Sequence, residues 1–227
     1  MNLQRRSARA FTLIELLAVI GIVGVLAAII IAVVGSARRS ADSSRCLSNL
    51  RQMGPAFLTY AVDHRGRYPL AYNGTGDPDN NWWYAIGPYV GLKVNYTWPS
   101  VTAVCSAEGA LRCPLMDPTD ASYSLPWVSY KMTGAHRAWM GSNGGWVVSG
   151  PGLQTNLIVN PSRSLLIAEG RSHPEFTLSA ASNQGNGLIY PHSGRTNTVF
   201  ADGHVGSFTA EEMKANWAVI YTRAVGG

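Results

Sequence analysis

The chain has 227 residues, of which 46% are hydrophobic and only 14% charged. Its net charge is +5, and removing Arg5, Arg6 and Arg9, which precede a long apolar run, leaves +2. So small an excess, with no block of basic residues, excludes a nucleic-acid binder as the expected class.

The first predicted element is the apolar run. Residues 16–37 carry no charge. As a helix, roughly 22 residues reach about 33 Å, against a bilayer core of about 30 Å. A membrane-spanning helix is predicted, and the compact basic leader before it predicts a cytoplasmic N-terminus. Arg38 and Arg39 flank the other end. A secretory signal has an apolar core of about 7–15 residues and then a small-residue cleavage site. This run is longer, and Glu15 interrupts its front. A plain anchor leaves Glu15 unexplained, because an acid at mid-membrane costs about 2.5–3.5 kcal/mol and marks function by default. A Glu snorkelling to the interface is the bland alternative.

Ala10-Phe11-Thr12-Leu13-Ile14-Glu15-Leu16-Leu17 resembles the cleavage and methylation site of type IV prepilins and type II secretion pseudopilins. The resemblance implies a cytoplasmic leader at 1–10, cut between Ala10 and Phe11 by a prepilin peptidase/methyltransferase that methylates the new Phe11 amine. It implies that Glu15 serves assembly, pairing with the Phe11 amine of a neighbouring subunit. The implied partners are identical or homologous pilin subunits and an inner-membrane assembly platform. The implied location is the bacterial inner membrane, crossed once, with the head periplasmic or extracellular. The residue before the cut is usually Gly in that family; here it is Ala10, which is also small.

Past the membrane segment, 11–37, the helix is predicted to continue over 38–66. Leu47, Leu50, Met53, Phe57, Leu58 and Ala61 step by three and four, the helical period. This face is expected to pack on the rest of the chain. Pro55 lacks an N–H and predicts a kink. His64-Arg65-Gly66 predicts the stop. Gly21, Gly24, Ala27, Ala28 and Gly35 in the anchor either permit close helix packing in a filament core or are simply tolerated. Ser44-Arg45-Cys46-Leu47-Ser48-Asn49-Leu50-Arg51-Gln52-Met53, with Asp63 to Pro69, supports a narrower resemblance. It looks like the pilin-like proteins, abundant in planctomycetes, that pair this N-terminus with a C-terminal processing-associated domain. The fold class expected is α+β: a long pilin-like helix packed on a small antiparallel-sheet head, 67–227.

Within the head, Asp77, Asp79, Asn80 and Asn81 form a polar cluster. Such oxygens can hold calcium, as a loop of the major pseudopilins does, but the spacing is not that of an EF-hand and no Glu closes it. A solvated turn is the first reading, calcium the second; no other cofactor is expected. Trp82-Trp83-Tyr84 is expected in the core instead of on a carbohydrate platform. Cys105 and Cys113 are too far apart for a Cys-x-x-Cys zinc pair. In an oxidising space they are expected to form a disulfide, leaving Cys46 as a buried thiol or a competitor for one of them. Residues 156–161 and 164–169 read as strands, the second central.

Asp202-Gly203 between two β-rich runs predicts a two-residue hairpin, pairing Ala201 with His204 and Phe200 with Val205. His192, nine residues, then Asp202-Gly203 matches the pattern that names the C-terminal domain of the narrower family. Glu211, Glu212, Met213 and Trp217 suggest a terminal helix. An enzyme would draw on His192, His204, Asp202 and Glu169. A straight strand puts His192 and Asp202 about 20–30 Å apart, and the sequence has no nucleophile motif, phosphate loop or metal constellation. His192 is therefore expected to bond a loop, and Asp202 to make the turn. No catalysis is expected. The function expected is a pilin or pseudopilin subunit; the alternative is a membrane-anchored minor pilin or surface-binding protein that recognises a glycan.

Overall fold

The computed structural model describes residues 12–71, 82–92, 109–116, 129–133, 152–170, 175–176 and 188–221. Its first element, α1, spans Leu13–Asp63. It opens on a reciprocal cap. The Thr12 N–H and hydroxyl donate to Glu15 Oε2 at 2.9 and 2.8 Å, and the Glu15 N–H returns to Thr12 Oγ1 at 3.3 Å, a capping box. It closes as predicted: Arg65 and Gly66 have φ of 57° and 73°, and the Gly66 N–H reaches back to the Ala61 carbonyl at 2.7 Å, the long bond of a Schellman end. The helix runs unbroken through Pro55. Pro55 is exposed, so the carbonyl it leaves without a partner can face water.

The chain falls into two units, Met1–Ala41 and Asp42–Gly227. In the first, every described side chain from 12 to 41 is exposed. This is the one helix among the described residues long and apolar enough to cross a membrane. So apolar a helix, with its described side chains exposed, suits lipid or neighbouring helices.

In the second unit α1 buries Cys46, Leu50, Met53, Phe57 and Ala61, again stepping by three and four. Leu47 is half-buried and Leu58 exposed at the rim, so the inward face centres on Cys46 instead of Leu47. A five-stranded sheet provides the partner surface. Its strands are β1 Tyr130–Thr133, β2 Leu165–Glu169, β3 Glu175–Phe176, β4 Arg195–Phe200 and β5 Val205–Thr209. The order is β3-β1-β2-β4-β5. The β1/β2, β2/β4 and β4/β5 pairs are antiparallel, and short β3 lies parallel to β1 at the edge. All five residues of central β2 are buried, which is why it reads as a near-continuous apolar run.

Alternation along the strands feeds two cores. Ile167 and Val199 join the α1 stripe, together with Trp82, Trp83 and Ile86 of α2, Trp82–Ile86. The tryptophans are thus core, as expected. Ala168 and Phe200 face the other way and pack with Met213 of α3, Ala210–Tyr221. A second capping box opens α3, with the Thr209 N–H on Glu212 Oε2 at 2.8 Å and the Glu212 N–H on Thr209 Oγ1 at 3.1 Å.

Two strand expectations are corrected. Over 156–161 there is no strand. Thr155–Leu157 is a 3-10 turn, because the Thr155 N–H is taken by the Gly66 carbonyl and the Ile158 N–H by the Thr155 carbonyl. The C-terminal hairpin is in a different register. Val199 pairs with Val205, the Phe200 N–H bonds the His204 carbonyl at 3.0 Å, and the Gly203 N–H bonds the Phe200 carbonyl at 2.9 Å. The loop therefore has three residues, 201–203. A two-residue type I′ loop needs positive φ at both centres, and here Gly203 (φ 87°) has it while Asp202 does not. The result is a tight turn closed by a left-handed Gly.

Candidate functional site

The sequence-predicted residues separate into three groups. Ala10, Phe11, Cys105, Asp77, Asp79, Asn80 and Asn81 lie outside the described residues. Glu15 sits at the start of α1 as the capping acid. Both of its cap bonds fall on Oε2, so its second oxygen takes no part in the cap. Of the rest, His192 and Cys113 meet α1 at Ser43 and Cys46, Gly203 lies against Gly54, and Asp202 is exposed in the same turn as Gly203.

The Cys105–Cys113 pairing is corrected: Cys113 is joined to Cys46, with the Cα atoms 4.9 Å apart. Cys46 is on the inward stripe of α1 and both sulfur-bearing residues are fully buried. Asn49, one turn along, donates to the Arg112 carbonyl at 2.6 Å. A helix position and a loop position fixed this closely favour the long-range bridge over the short loop closure.

His192 touches residues 109–116 through Cys113, but its shorter bonds go to α1 and β2. It precedes a tight turn, with Ser193 and Gly194 at φ 52° and 83° and paired backbone bonds between His192 and Arg195. This aims the ring inward, where it is 6% exposed. Its Nε2 lies 2.6 Å from Glu169 Oε1, and Glu169, at the end of β2, is fully buried. The other carboxylate oxygen accepts the Asn197 N–H at 2.8 Å. The ring's Nδ1 lies 2.9 Å from Ser43 Oγ of α1, and Nε2 is also 3.9 Å from Cys113 Sγ. The Tyr130 phenol is pushed far up by burial and then by the nearby Glu169 charge. Burying the acid is tolerable because each of its oxygens has a hydrogen-bond partner.

Asp202 and Gly203 dock at the other end of β4. Asp202 Oδ1 accepts the His204 N–H at 3.1 Å, and Tyr68 donates to the Ala201 carbonyl at 2.6 Å. The turn lies against Gly54 of α1: a Cβ on Gly54 would collide with the Gly203 carbonyl. Ser43 and Gly54 are about 16 Å apart along the helix, and β4 is about 20 Å long. The nine-residue spacing of the motif is thus the length of strand needed to touch α1 at both ends. Glu169 and His192 were visible as candidates in the sequence. Ser43 and Gly54 were not, although Gly before Pro inside a helical pattern was a signal.

Residues 5–31 match the family described as "Prokaryotic N-terminal methylation motif". No curated protein and no solved structure is matched by the chain. The match supports a type IV pilin-like subunit and implies processing by a prepilin peptidase.

Proposed function

We propose that this chain is a structural subunit of a type II secretion pseudopilus or a type IV pilus-like filament, of the planctomycete type with the His-nine-Asp-Gly C-terminal domain. It is anchored in the inner membrane with its head outside and is assembled through α1. The observation that carries this reading is an uncovered apolar helix beginning inside the methylation motif. The reading assigns no catalysis to the head: Cys113 is held in the disulfide with Cys46 and offers no thiol, and the Ser43–His192–Glu169 chain is read as a polar link between α1 and β2. Mass spectrometry of the protein from its native membrane is expected to find an N-methylated Phe11 at the terminus. An intact Met1, or a terminus after Ala37, would overturn the reading.

A second reading, a minor pilin or surface-binding protein, draws on an open groove of about 610 Å³ lined by Tyr60, His64, Tyr84, Pro88 and Tyr89, the aromatic lining that sugars stack on. Copy number in sheared filaments separates the two, high for a structural subunit and a few per filament for a tip protein.

A further inference from the structure

Four potential ligand atoms meet at one buried point: the sulfurs of Cys46 and Cys113, an oxygen of Glu169 and a nitrogen of His192, all within 4.8 Å of one another. We propose that the reduced form of this cluster is a zinc-class metal site, and that the Cys46–Cys113 bond is the redox gate that closes it. The four groups come from α1, from residues 109–116, from β2 and from the turn before β4, so each is held by a different part of the fold. Two thiolates, one imidazole and one carboxylate form a four-ligand set suited to tetrahedral Zn²⁺.

The surroundings are those of a supported site. Metal-bound His residues donate their other ring N–H to a fixed acceptor. Ser43 Oγ stands at Nδ1, and a hydroxyl can accept there as readily as donate. Glu169 Oε2 is held by the Asn197 N–H, which leaves Oε1 directed at Nε2. Ligands at Zn–S of about 2.3 Å and Zn–N or Zn–O of about 2.0–2.2 Å stand roughly 3.3–3.8 Å from each other in a tetrahedron. The sulfurs must part to reach that spacing, which needs the bond between them broken, and Nε2 and Oε1 must open from 2.6 Å.

The chemistry balances with a dithiol as reductant. The dithiol passes two electrons and two protons to the Cys46–Cys113 bond and becomes its own cyclic disulfide. One S–S bond breaks and two S–H bonds form. Zn²⁺ then displaces both thiol protons to solvent. His192 moves its ring proton from Nε2 to Nδ1, with no net release. The covalent cross-link ties α1 to residues 109–116, and the metal would tie both to β2 through Glu169.

The test uses the full chain in detergent, reduced with dithiothreitol, desalted without oxygen and titrated with Co²⁺. One Co²⁺ per chain is expected, with thiolate-to-cobalt charge-transfer absorption and the intense visible bands of a tetrahedral site, bleached by added Zn²⁺. Zn²⁺ titrated in buffers of different ionisation enthalpy is expected to release close to two protons per metal. The oxidised chain is expected to give neither signal. C46S, which leaves one thiolate of two, is expected to lower the thiolate band markedly, and S43A to weaken affinity by about 10–100-fold. If reduced wild-type chain, shown to be folded by circular dichroism, binds no Co²⁺, the site is refuted. Equal binding by the oxidised chain, or an unchanged spectrum in C46S, also refutes it.

Discussion

At the scale of single residues, two glycines show how a close approach reverses an ordinary expectation. In an exposed helix, Gly54→Ala would gain about 1 kcal/mol from propensity. Here the new Cβ meets the Gly203 carbonyl, backbone that cannot swing away. The expected outcome is net destabilisation, by about 1–3 kcal/mol as for an overpacked contact. Gly203→Val meets two obstacles, a φ of 87° and the Leu58 Cδ1, 3.1 Å from its Cβ, and is expected to lose about 1–3 kcal/mol. Thermal melting of both variants checks this; a Gly54→Ala variant that melts higher than wild type would disprove the docking of the turn. Tyr68 supplies a pH signature. Its phenol donates to the Ala201 carbonyl, and burial, then the charge of Asp202, push its pKa up to about 12 from 10.0. A raised folded-state value means the stabilisation is complete below pH 10 and is lost as pH rises towards 12. Melting temperature is expected to fall across that window, and less steeply in Tyr68→Phe. Parallel falls in the two proteins would reject the assignment.

At the scale of elements, α1 and the sheet are held by three kinds of contact along one helix face. The apolar stripe supplies area, the Ser43–His192–Glu169 chain supplies polar fit at one end, and Gly54 admits the hairpin turn at the other. The Cys46–Cys113 bridge adds a covalent tie from the same helix face to residues 109–116. Its ends are 67 residues apart in sequence, and closing such a loop is worth about 4 kcal/mol in the chain-entropy account. Reduction in the presence of a chelator is therefore expected to lower the melting temperature, on the order of 10 °C for a unit of this size. If reduction leaves the melting curve unchanged, the bridge contributes nothing, and peptide mapping should find another pairing.

At the scale of the whole molecule, the two units have opposite needs. Among the described residues, α1 beyond Ala41 and the strands bury apolar faces within the second unit, whereas the helix before them exposes its own. Glu15 sits at the start of that exposed helix, capping it through Oε2. Glu15→Ala removes one cap partner, a modest cost of about 1 kcal/mol, and is expected to leave insertion and cleavage intact. In the proposed filament it also removes the partner of the neighbouring Phe11 amine, so filaments are expected to be lost. Electron microscopy of shear fractions decides; normal filaments from that variant would overturn the assembly role of Glu15.

What the chain determined by itself was local. The apolar run, the 3.6-residue stripe, the His64-Arg65-Gly66 stop, the buried β2 and the terminal helix each follow from residues within a few positions of one another, where sterics, periodicity and capping act directly. The tertiary structure decided what depends on distant partners. Three cysteines permit several bridges, and only the helix face bearing Cys46 selects Cys113. The Asp202-Gly203 pair suits two loop lengths, and the three-residue form wins where its turn lies against Gly54. Ser43 and His192 are 149 residues apart, and no local pattern makes a serine on a helix the partner of a histidine before a strand. That pairing exists because β4 is about as long as the stretch of α1 it lies against, so both ends of one strand reach one helix.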